Sequence, residues 1–228
     1  MQRDLTRFLE INKGPLADKE KRNIPANVVA PLTLQHNPFV LKLLEGNKRF
    51  CADQGNVKVP AEKRESLALG QKPFASILCC SDSRVSPEII FDCSLGEIFV
   101  VRNAGNVVDI STLASLEYAA EHLGVSLILV LGHEKCGAVI AAASFNEKQH
   151  NSKSIEQLLT KIGSLTKDSK IHDPEDLCIK NILNSVSEIR KSNIISKLES
   201  DGKLIVLGAK YFISTGRVEI IGGIPSFK

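Results

Sequence analysis

The amino-acid sequence predicts an α/β fold built on a mainly parallel central β-sheet. The first indication is a set of short apolar runs without polar alternation, which is typical of strands covered on both faces. The second is that helical patterns separate these runs, because strands alternating with helices favour parallel pairing through crossover connections. The four runs span residues 74–79, 98–101, 127–131 and 204–207.

Helices are expected to flank this sheet, and an antiparallel strand is expected to form its C-terminal edge. Apolar residues recur at helical spacing between the apolar runs. We expect Ser111 to cap the helix that Gly124 ends, because a serine side chain can accept a hydrogen bond from a free amide. The terminal hairpin would join Lys210–Ile213 to Val218–Ile221. The predicted helices span residues 39–50, 60–69, 111–123, 136–143, 154–165 and 174–199.

The chain is predicted to form one domain, residues 36–228, preceded by an N-terminal arm, residues 1–35. A chain of 228 residues is long enough to bury one large core. The arm contains several prolines and shows little periodicity. We expect it to be extended or partly helical and to pack on another surface, such as a partner subunit.

Charge and hydropathy argue against nucleic-acid and membrane partners. The net charge of +3 is too small to indicate that the protein binds a nucleic acid or an anionic membrane surface. No apolar run approaches the roughly 18–20 residues of a membrane span. Residues 1–16 lack the apolar segment of a secretory signal, and acidic residues such as Glu10 weigh against a transit peptide. We expect a cytoplasmic protein, with an organelle left open.

Six cysteines are present, and we expect none of them to form a disulfide. The chain is not of the short, loop-rich secreted type that depends on disulfides, so metal ligation or buried thiols are the better interpretation. Cys51, Cys93 and Cys178 are predicted to be core thiols. Cys79 is predicted to join them, because successive strand residues face opposite ways and Cys80 would point to the other face.

The residues that carry chemistry follow two of the predicted strands. Cys80 comes directly after the first strand, and His133 and Cys136 follow the third. Ligand sites of α/β sheets lie beyond the carboxyl ends of parallel strands, so these side chains are expected to meet at one edge. The polar loop Arg102–Asn106 ends the second strand at the same edge. Thiolate and imidazole suit zinc, and three protein ligands leave a fourth position for chemistry.

Asp82 and Arg84 lie two and four residues beyond Cys80. Asp82 either occupies the fourth zinc position, which blocks an enzyme, or is held away from it by Arg84 in a bidentate pair. A purely structural ion pair is the third interpretation, and the adjacent zinc ligand makes it the weaker one. We expect Asp82 to pair with Arg84 near neutral pH; an Asp82–zinc bond in a structure at that pH would contradict this.

Together these motifs resemble those of the β-class carbonic anhydrases, over roughly residues 39–223. The resemblance implies reversible hydration of carbon dioxide to bicarbonate and a proton, through attack by a zinc-bound hydroxide. It also implies one zinc ion per chain, held by Cys80, His133 and Cys136. The stretches that carry the resemblance are Cys80-Ser81-Asp82-Ser83-Arg84-Val85, Phe99-Val100-Val101-Arg102-Asn103-Ala104-Gly105-Asn106 and Gly132-His133-Glu134-Lys135-Cys136-Gly137.

Further roles are implied by the resemblance alone. Gln71 matches a glutamine that binds substrate in the plant-type branch of the family, and the Gly137 amide would face the same pocket. Phe99, Ala104 and Tyr118 match positions that line the apolar cleft, some of them across a subunit interface. The implied assembly is a homodimer or a dimer-of-dimers tetramer.

Three other functions stay open at this point. A hydrolase acting on carbon disulfide or carbonyl sulfide would need nearly the same site, and direct assay distinguishes it. A catalytically silent zinc-binding module would be favoured by loss of Asp82 or Arg84, and both residues are present. A thiol redox protein is disfavoured because adjacent cysteines make a poor catalytic disulfide and no Cys-x-x-Cys motif occurs.

The pH profile of such an enzyme is a first testable prediction. Two thiolates cancel the formal charge of a zinc ion, so they acidify a bound water less than three neutral imidazoles do. We therefore expect the pKa of that water to exceed the value of about 7 found in a three-histidine site. Hydration activity should rise on the alkaline side of neutral, and a flat profile between about pH 6 and about pH 9 would contradict this.

Overall fold

A computed structural model of the protein describes residues 37–144, 152–166 and 173–222. Its five strands are β1 (Ala75–Cys80), β2 (Ile98–Asn103), β3 (Leu127–His133), β4 (Ile205–Tyr211) and β5 (Val218–Gly222). They form one sheet in the order β2-β1-β3-β4-β5. The strands β2, β1, β3 and β4 pair in parallel, and β5 pairs antiparallel with β4. The predicted fold class is therefore confirmed.

Helices cover the sheet on both sides, as the sequence predicts. Within the described ranges they are α1 (Pro38–Cys51), α2 (Ala61–Leu67), α3 (Pro87–Ile90), α4 (Ile110–Glu121), α5 (Gly137–Ala143), α6 (Lys153–Gly163), α7 (Pro174–Arg190) and α8 (Asn193–Ser200). Short 3-10 turns follow β2 at Ala104–Asn106 and α6 at Ser164–Thr166.

Two hydrophobic cores lie on the two faces of the sheet. In β3, Leu127, Leu129 and Leu131 join the core beneath α1 and α3. Ile128 and Val130 point the other way, into the core formed with α4 to α8. Every residue of β1 and β3 is buried, so neither strand has a polar face. This burial explains why the apolar runs lack alternation.

The start of α4 differs from the prediction. Asp109, and not Ser111, is the N-cap: its side chain accepts a hydrogen bond from Thr112 N at 2.8 Å. Aspartate and serine are both good caps. Asp109 has the extended backbone that a cap requires, whereas Ser111 already lies in the first helical turn.

The predicted helix over residues 174–199 is two helices, α7 and α8. Ser192 interrupts it with a non-helical backbone, and its hydroxyl accepts a hydrogen bond from Ile195 N at 3.3 Å. The same hydroxyl donates to Glu117 Oε1 at 2.6 Å. A second helix with its own N-cap therefore begins at the break. The sequence did not indicate it, because the amphipathic pattern continues across the break.

The C-terminal hairpin is confirmed, with one correction. The fourth predicted strand and the first arm of the hairpin are one strand, β4, which bends at a register shift between Gly208 and Ala209. The predicted N-terminal arm, residues 1–35, lies outside the described residues. No helix in the described ranges is long and apolar enough to cross a membrane.

Candidate metal centre and active site

Three buried side chains meet at the carboxyl edge of the parallel sheet. Cys80 and His133 are the last residues of β1 and β3, and Cys136 precedes α5. One ligand atom from each lies within 4.8 Å of the other two. The two Sγ atoms are 3.9 Å apart, close to the roughly 3.8 Å expected for two thiolates 2.3 Å from a tetrahedral zinc ion. The predicted strand ends do bring these three residues together.

The ring of His133 is oriented for metal binding. Its Nδ1 lies 2.9 Å from the carbonyl oxygen of Glu134. A carbonyl oxygen only accepts, so Nδ1 carries the hydrogen and Nε2 presents a lone pair. That Nε2 is buried and has no hydrogen-bond partner among the described residues. An orphaned imidazole nitrogen beside two sulfur atoms fits a zinc ligand, whereas a core histidine would be satisfied on both nitrogens.

The two ligand thiols affect each other's ionisation. The hydrogen bond from Cys136 lowers the pKa of Cys80, and the same contact raises the pKa of Cys136. The Gly105 amide also donates to Cys80 Sγ at 3.4 Å, from a left-handed backbone with φ of +73° that favours glycine. A divalent cation bound here would hold both sulfurs as thiolates, because a cysteine ligand must be deprotonated.

Asp82 and Arg84 form a bidentate ion pair next to the ligands. Arg84 Nε and one terminal nitrogen donate to the two carboxylate oxygens of Asp82 at 2.9 and 2.7 Å. These hydrogen bonds hold the pKa of Asp82 well below its usual range. Asp82 Oδ2 lies 3.9 Å from His133 Nε2. The ionised carboxylate therefore borders the ligand cluster while Arg84 holds both of its oxygens.

A second arginine, whose role the sequence did not indicate, supports this loop. Arg102, near the end of β2, donates to the carbonyl oxygens of Cys80 and Asp82 at 3.2 and 3.0 Å. Ser81 N also donates to Asn103 O at 2.9 Å. The end of β2, where the sequence predicts a polar loop, thus contacts the end of β1 and the loop that follows it.

The predicted substrate residues divide into two groups. Ala104 and Gly137 lie near the ligands, since Ala104 opens the turn after β2 and Gly137 is the first residue of α5. Gln71 precedes β1, whose six residues span about 17 Å before the sheet edge is reached. Phe99 and Tyr118 contact each other with ring centroids 6.4 Å apart, and Phe99 pairs with Ser76 near the start of β1.

A single chain therefore does not bring Gln71, Phe99 and Tyr118 to its own ligand cluster. A cavity of about 430 Å³ lies elsewhere, at the amino ends of β3 and β4. It is lined by side chains such as Phe39 and Leu204 and does not belong to the candidate site. The roles of Gln71, Phe99 and Tyr118 stay predictions that require a second subunit.

Of the four cysteines outside the ligand cluster, all predicted to be core thiols, three are buried. Cys79, Cys93 and Cys178 are buried, as predicted, and the six cysteines are all free thiols. Burial raises the pKa of each of these three thiols to about 12. Cys51 is exposed and not in the core, because it is the last residue of α1. Cys178 Sγ donates to His133 O at 3.3 Å, so this cysteine on α7 helps to hold the main chain of His133 in place.

Gly132 sets how closely α7 approaches His133, which gives a testable prediction. A Cβ atom at this position would lie 2.5 Å from two atoms of the fully buried Ile182 on α7. Gly132→Ala should destabilise the protein by about 1–3 kcal/mol through overpacking. For a chain of this size, each kcal/mol lowers the melting temperature by roughly 2–4 °C.

Gly55→Ala is the matched control, because a Cβ there would meet one atom at 3.6 Å, an ordinary contact. It should change the free energy of unfolding by less than about 0.5 kcal/mol. Equal melting temperatures for both variants would contradict the tight packing of α7 on Gly132.

Comparisons with known proteins agree with this site. A family model described as carbonic anhydrase matches residues 75–218. Carbonic anhydrase 2 of Mycobacterium tuberculosis is 38% identical over 183 residues, which cover 77% of this chain and 87% of that protein.

Solved structures extend the comparison to the fold. A Coccomyxa β-carbonic anhydrase in complex with acetazolamide is 28% identical, with a TM-score of 0.62 over 78% of this chain and 84% of that one. One of two tetrameric β-carbonic anhydrases from Sordaria macrospora is 25% identical, with a TM-score of 0.65 over 82% of this chain and 98% of that one. Sequence, fold and comparisons thus agree: this chain belongs to the carbonic anhydrase family, and within it to the β class.

Proposed function

We propose that this protein catalyses the reversible hydration of carbon dioxide to bicarbonate and a proton, with a zinc ion held by Cys80, His133 and Cys136. The observation that carries the proposal is the buried Cys–His–Cys cluster with an ionised, arginine-held carboxylate at its border. Membership of the carbonic anhydrase family supports the reaction. A zinc ion with three protein ligands supplies Lewis acidity, which makes a water-derived nucleophile available near neutral pH.

Asp82 would orient that nucleophile. Because Arg84 keeps its pKa far below neutral, Asp82 is an ionised acceptor across the physiological range. A carboxylate this acidic is a poor base, so its role would be to accept a hydrogen bond at Oδ2 and turn an oxygen lone pair toward the carbon of the substrate. Arg84 would keep Asp82 from becoming a fourth metal ligand.

The substrate cleft would be completed by a second copy of the chain. Gln71, Phe99 and Tyr118 are remote from the ligands of their own subunit, and Tyr118 is 49% exposed although it is a large aromatic residue. A homodimer that brings them to the partner's Ala104 and Gly137 edge would form a small apolar pocket suited to uncharged carbon dioxide. The tetrameric Sordaria relative supports a dimer, or a dimer of dimers. Light scattering of the purified protein would measure the assembly.

A cytoplasmic location is part of the proposal. It is supported by six free thiols, a state that a reducing compartment maintains. Fractionation of the cells that make the protein would test it.

Stopped-flow measurement of carbon dioxide hydration, with zinc quantified per chain, tests the function. About one zinc per chain together with hydration is the expected result. Zinc binding without hydration would contradict the proposal and favour a silent zinc-binding module. Turnover of carbon disulfide or carbonyl sulfide in place of carbon dioxide would favour the hydrolase.

A further inference from the structure

An ion pair between a buried lysine and a partly exposed glutamate lies next to the metal centre and takes no part in the proposed reaction. Lys210, on β4, has a side chain that is 1% exposed, and its Nζ lies 2.7 Å from Glu175 Oε2 on α7. Lysine is almost never fully buried without a partner, because desolvating each ion costs several kcal/mol. Lys210 is the register partner of Gly132, one residue before the ligand His133. A feature this costly, placed here, calls for a reason other than stability.

The second carboxylate oxygen of Glu175 reaches the turn between two metal ligands. Glu175 Oε1 accepts a hydrogen bond from Lys135 N at 2.8 Å. Lys135 has a left-handed backbone with φ of +53°, which costs a residue other than glycine about 1–2 kcal/mol. The conformation of the turn is therefore held by contacts from outside it, and Glu175 supplies one of them.

The same turn holds the arginine of the active-site pair. The carbonyl oxygen of Lys135 accepts a hydrogen bond from a terminal nitrogen of Arg84 at 3.2 Å, and that nitrogen also donates to Asp82. Contacts therefore run without interruption from Lys210 through Glu175, the Lys135 main chain and Arg84 to Asp82. Each link is a charge-assisted hydrogen bond, because one partner at least is ionised, and the link between Arg84 and the Lys135 carbonyl is the longest at 3.2 Å.

The metal ligands themselves have other supports. Cys178 Sγ donates to His133 O, and Glu134 is fixed to the β4–β5 hairpin through Tyr211 O and Ser214 N. His133 would thus keep its place without Glu175. The ion pair bears on the part of the turn that contacts Arg84, not on the part that carries the ligand ring.

We propose that Glu175 is a positioning residue, with Lys210 as the counter-ion of its carboxylate: one oxygen of Glu175 holds the Lys135 turn so that the Lys135 carbonyl anchors Arg84 and thereby Asp82. This inference rests on the proposed function, because it assigns the pair to the orientation of Asp82. The active form needs Asp82 held in one place. Asp82 accepts one hydrogen bond from the main-chain N of Arg84 and two from its guanidinium, and these last two do not fix where the guanidinium itself lies. The anchor to Lys135 O fixes that position.

Two double variants that differ only at residue 175 test the proposal. Glu175→Gln/Lys210→Met keeps an acceptor oxygen for Lys135 N and removes both charges. Glu175→Met/Lys210→Met has an unbranched side chain of similar length without that acceptor. Both should fold, because the buried charge of Lys210 is removed together with its partner, so neither variant leaves an unpaired buried charge.

The glutamine variant should retain kcat within about twofold, whereas the methionine variant should lose about ten- to hundredfold, as is common for outer-shell partners of metal sites. KM and zinc content should stay unchanged in both. Crystal structures should show the Arg84–Lys135 contact kept with glutamine and lost with methionine. In an Asp82→Asn background the two variants should have equal kcat, because the group they position is already gone.

Several outcomes would overturn the proposal. They are equal kcat for the two variants with Asp82 present, an undiminished difference in the Asp82→Asn background, or an intact Arg84–Lys135 contact in the methionine variant. If methionine at 175 prevents folding, Glu175→Ala/Lys210→Met against Glu175→Gln/Lys210→Met makes the same comparison. A wild-type protein that binds zinc but hydrates no carbon dioxide would refute the proposed function, while the crystal structures would still decide whether Glu175 positions Arg84.

Discussion

Replacing Cys80 by alanine should remove the zinc ion and reduce carbon dioxide hydration by more than about 100-fold. Loss of an outer-shell partner alone typically costs 10–100-fold in metal affinity or activity, so loss of a ligand must cost more. Cys80 supplies one of the two sulfur atoms of the cluster, and the Gly105 amide donates to it. Zinc per chain by elemental analysis and stopped-flow hydration are the measurements.

Cys79→Ala is the matched control for this variant. The neighbouring thiol is also buried and is lost by the same change, but it points into the opposite core beneath α1 and α3. Its loss should lower the melting temperature and leave the zinc content unchanged. Full zinc occupancy in Cys80→Ala would place the metal elsewhere, and loss of zinc in both variants would point to a folding defect instead.

Replacing Asp82 by asparagine should leave zinc bound and reduce hydration by roughly 10²-fold, the loss that misplacing a reacting group can cause. The amide keeps the shape of the side chain, but it loses the charge that pairs with Arg84 and one of the two acceptor oxygens. Asp82 is not one of the three clustered ligands, so the zinc content should not change. The measurements are kcat, KM and zinc per chain.

Asp92→Asn controls for the loss of an aspartate–arginine pair as such. Asp92 pairs with Arg49 at 2.5 Å, far from the ligands, and this pair also lowers the pKa of the carboxyl group. Asp92 has a left-handed backbone, which asparagine tolerates. The control should change stability alone. Full activity in Asp82→Asn, or equal losses of activity in both variants, would remove the proposed role of Asp82.

Much of the fold follows from patterns that are local in the sequence. The unbroken apolar runs predicted parallel strands because burial on both faces leaves no position for a polar residue. The opposite directions of Cys79 and Cys80 followed from strand geometry alone. Helix boundaries were less certain where two residues could both serve as a cap. At Asp109 and Ser111 the backbone decides between them, and the backbone depends on how α4 packs.

In the candidate site, too, some features follow from local sequence patterns and others depend on how distant segments pack. Cys80, His133 and Cys136 were predictable because each follows a strand, and parallel strands end at one edge of the sheet. The contacts of Glu175 and Arg102 were not predictable, since neither residue belongs to a motif. Glu175 contacts Lys135 across 40 positions in the sequence. Gln71, Phe99 and Tyr118 matched the family pattern, yet one subunit leaves them away from its own ligands.

The sequence by itself therefore determined the chemistry of this protein: the donor types, their convergence at one sheet edge and the acid–base pair beside them. Ligand type belongs to the single residue, and the place of each ligand at a strand end follows from the local apolar pattern. Only the tertiary structure decided how Asp82 is held. Hydrogen bonds act over about 3 Å, so the contacts from Lys210 through Glu175 to Arg84 exist only where α7, β4 and the Lys135 turn are packed together.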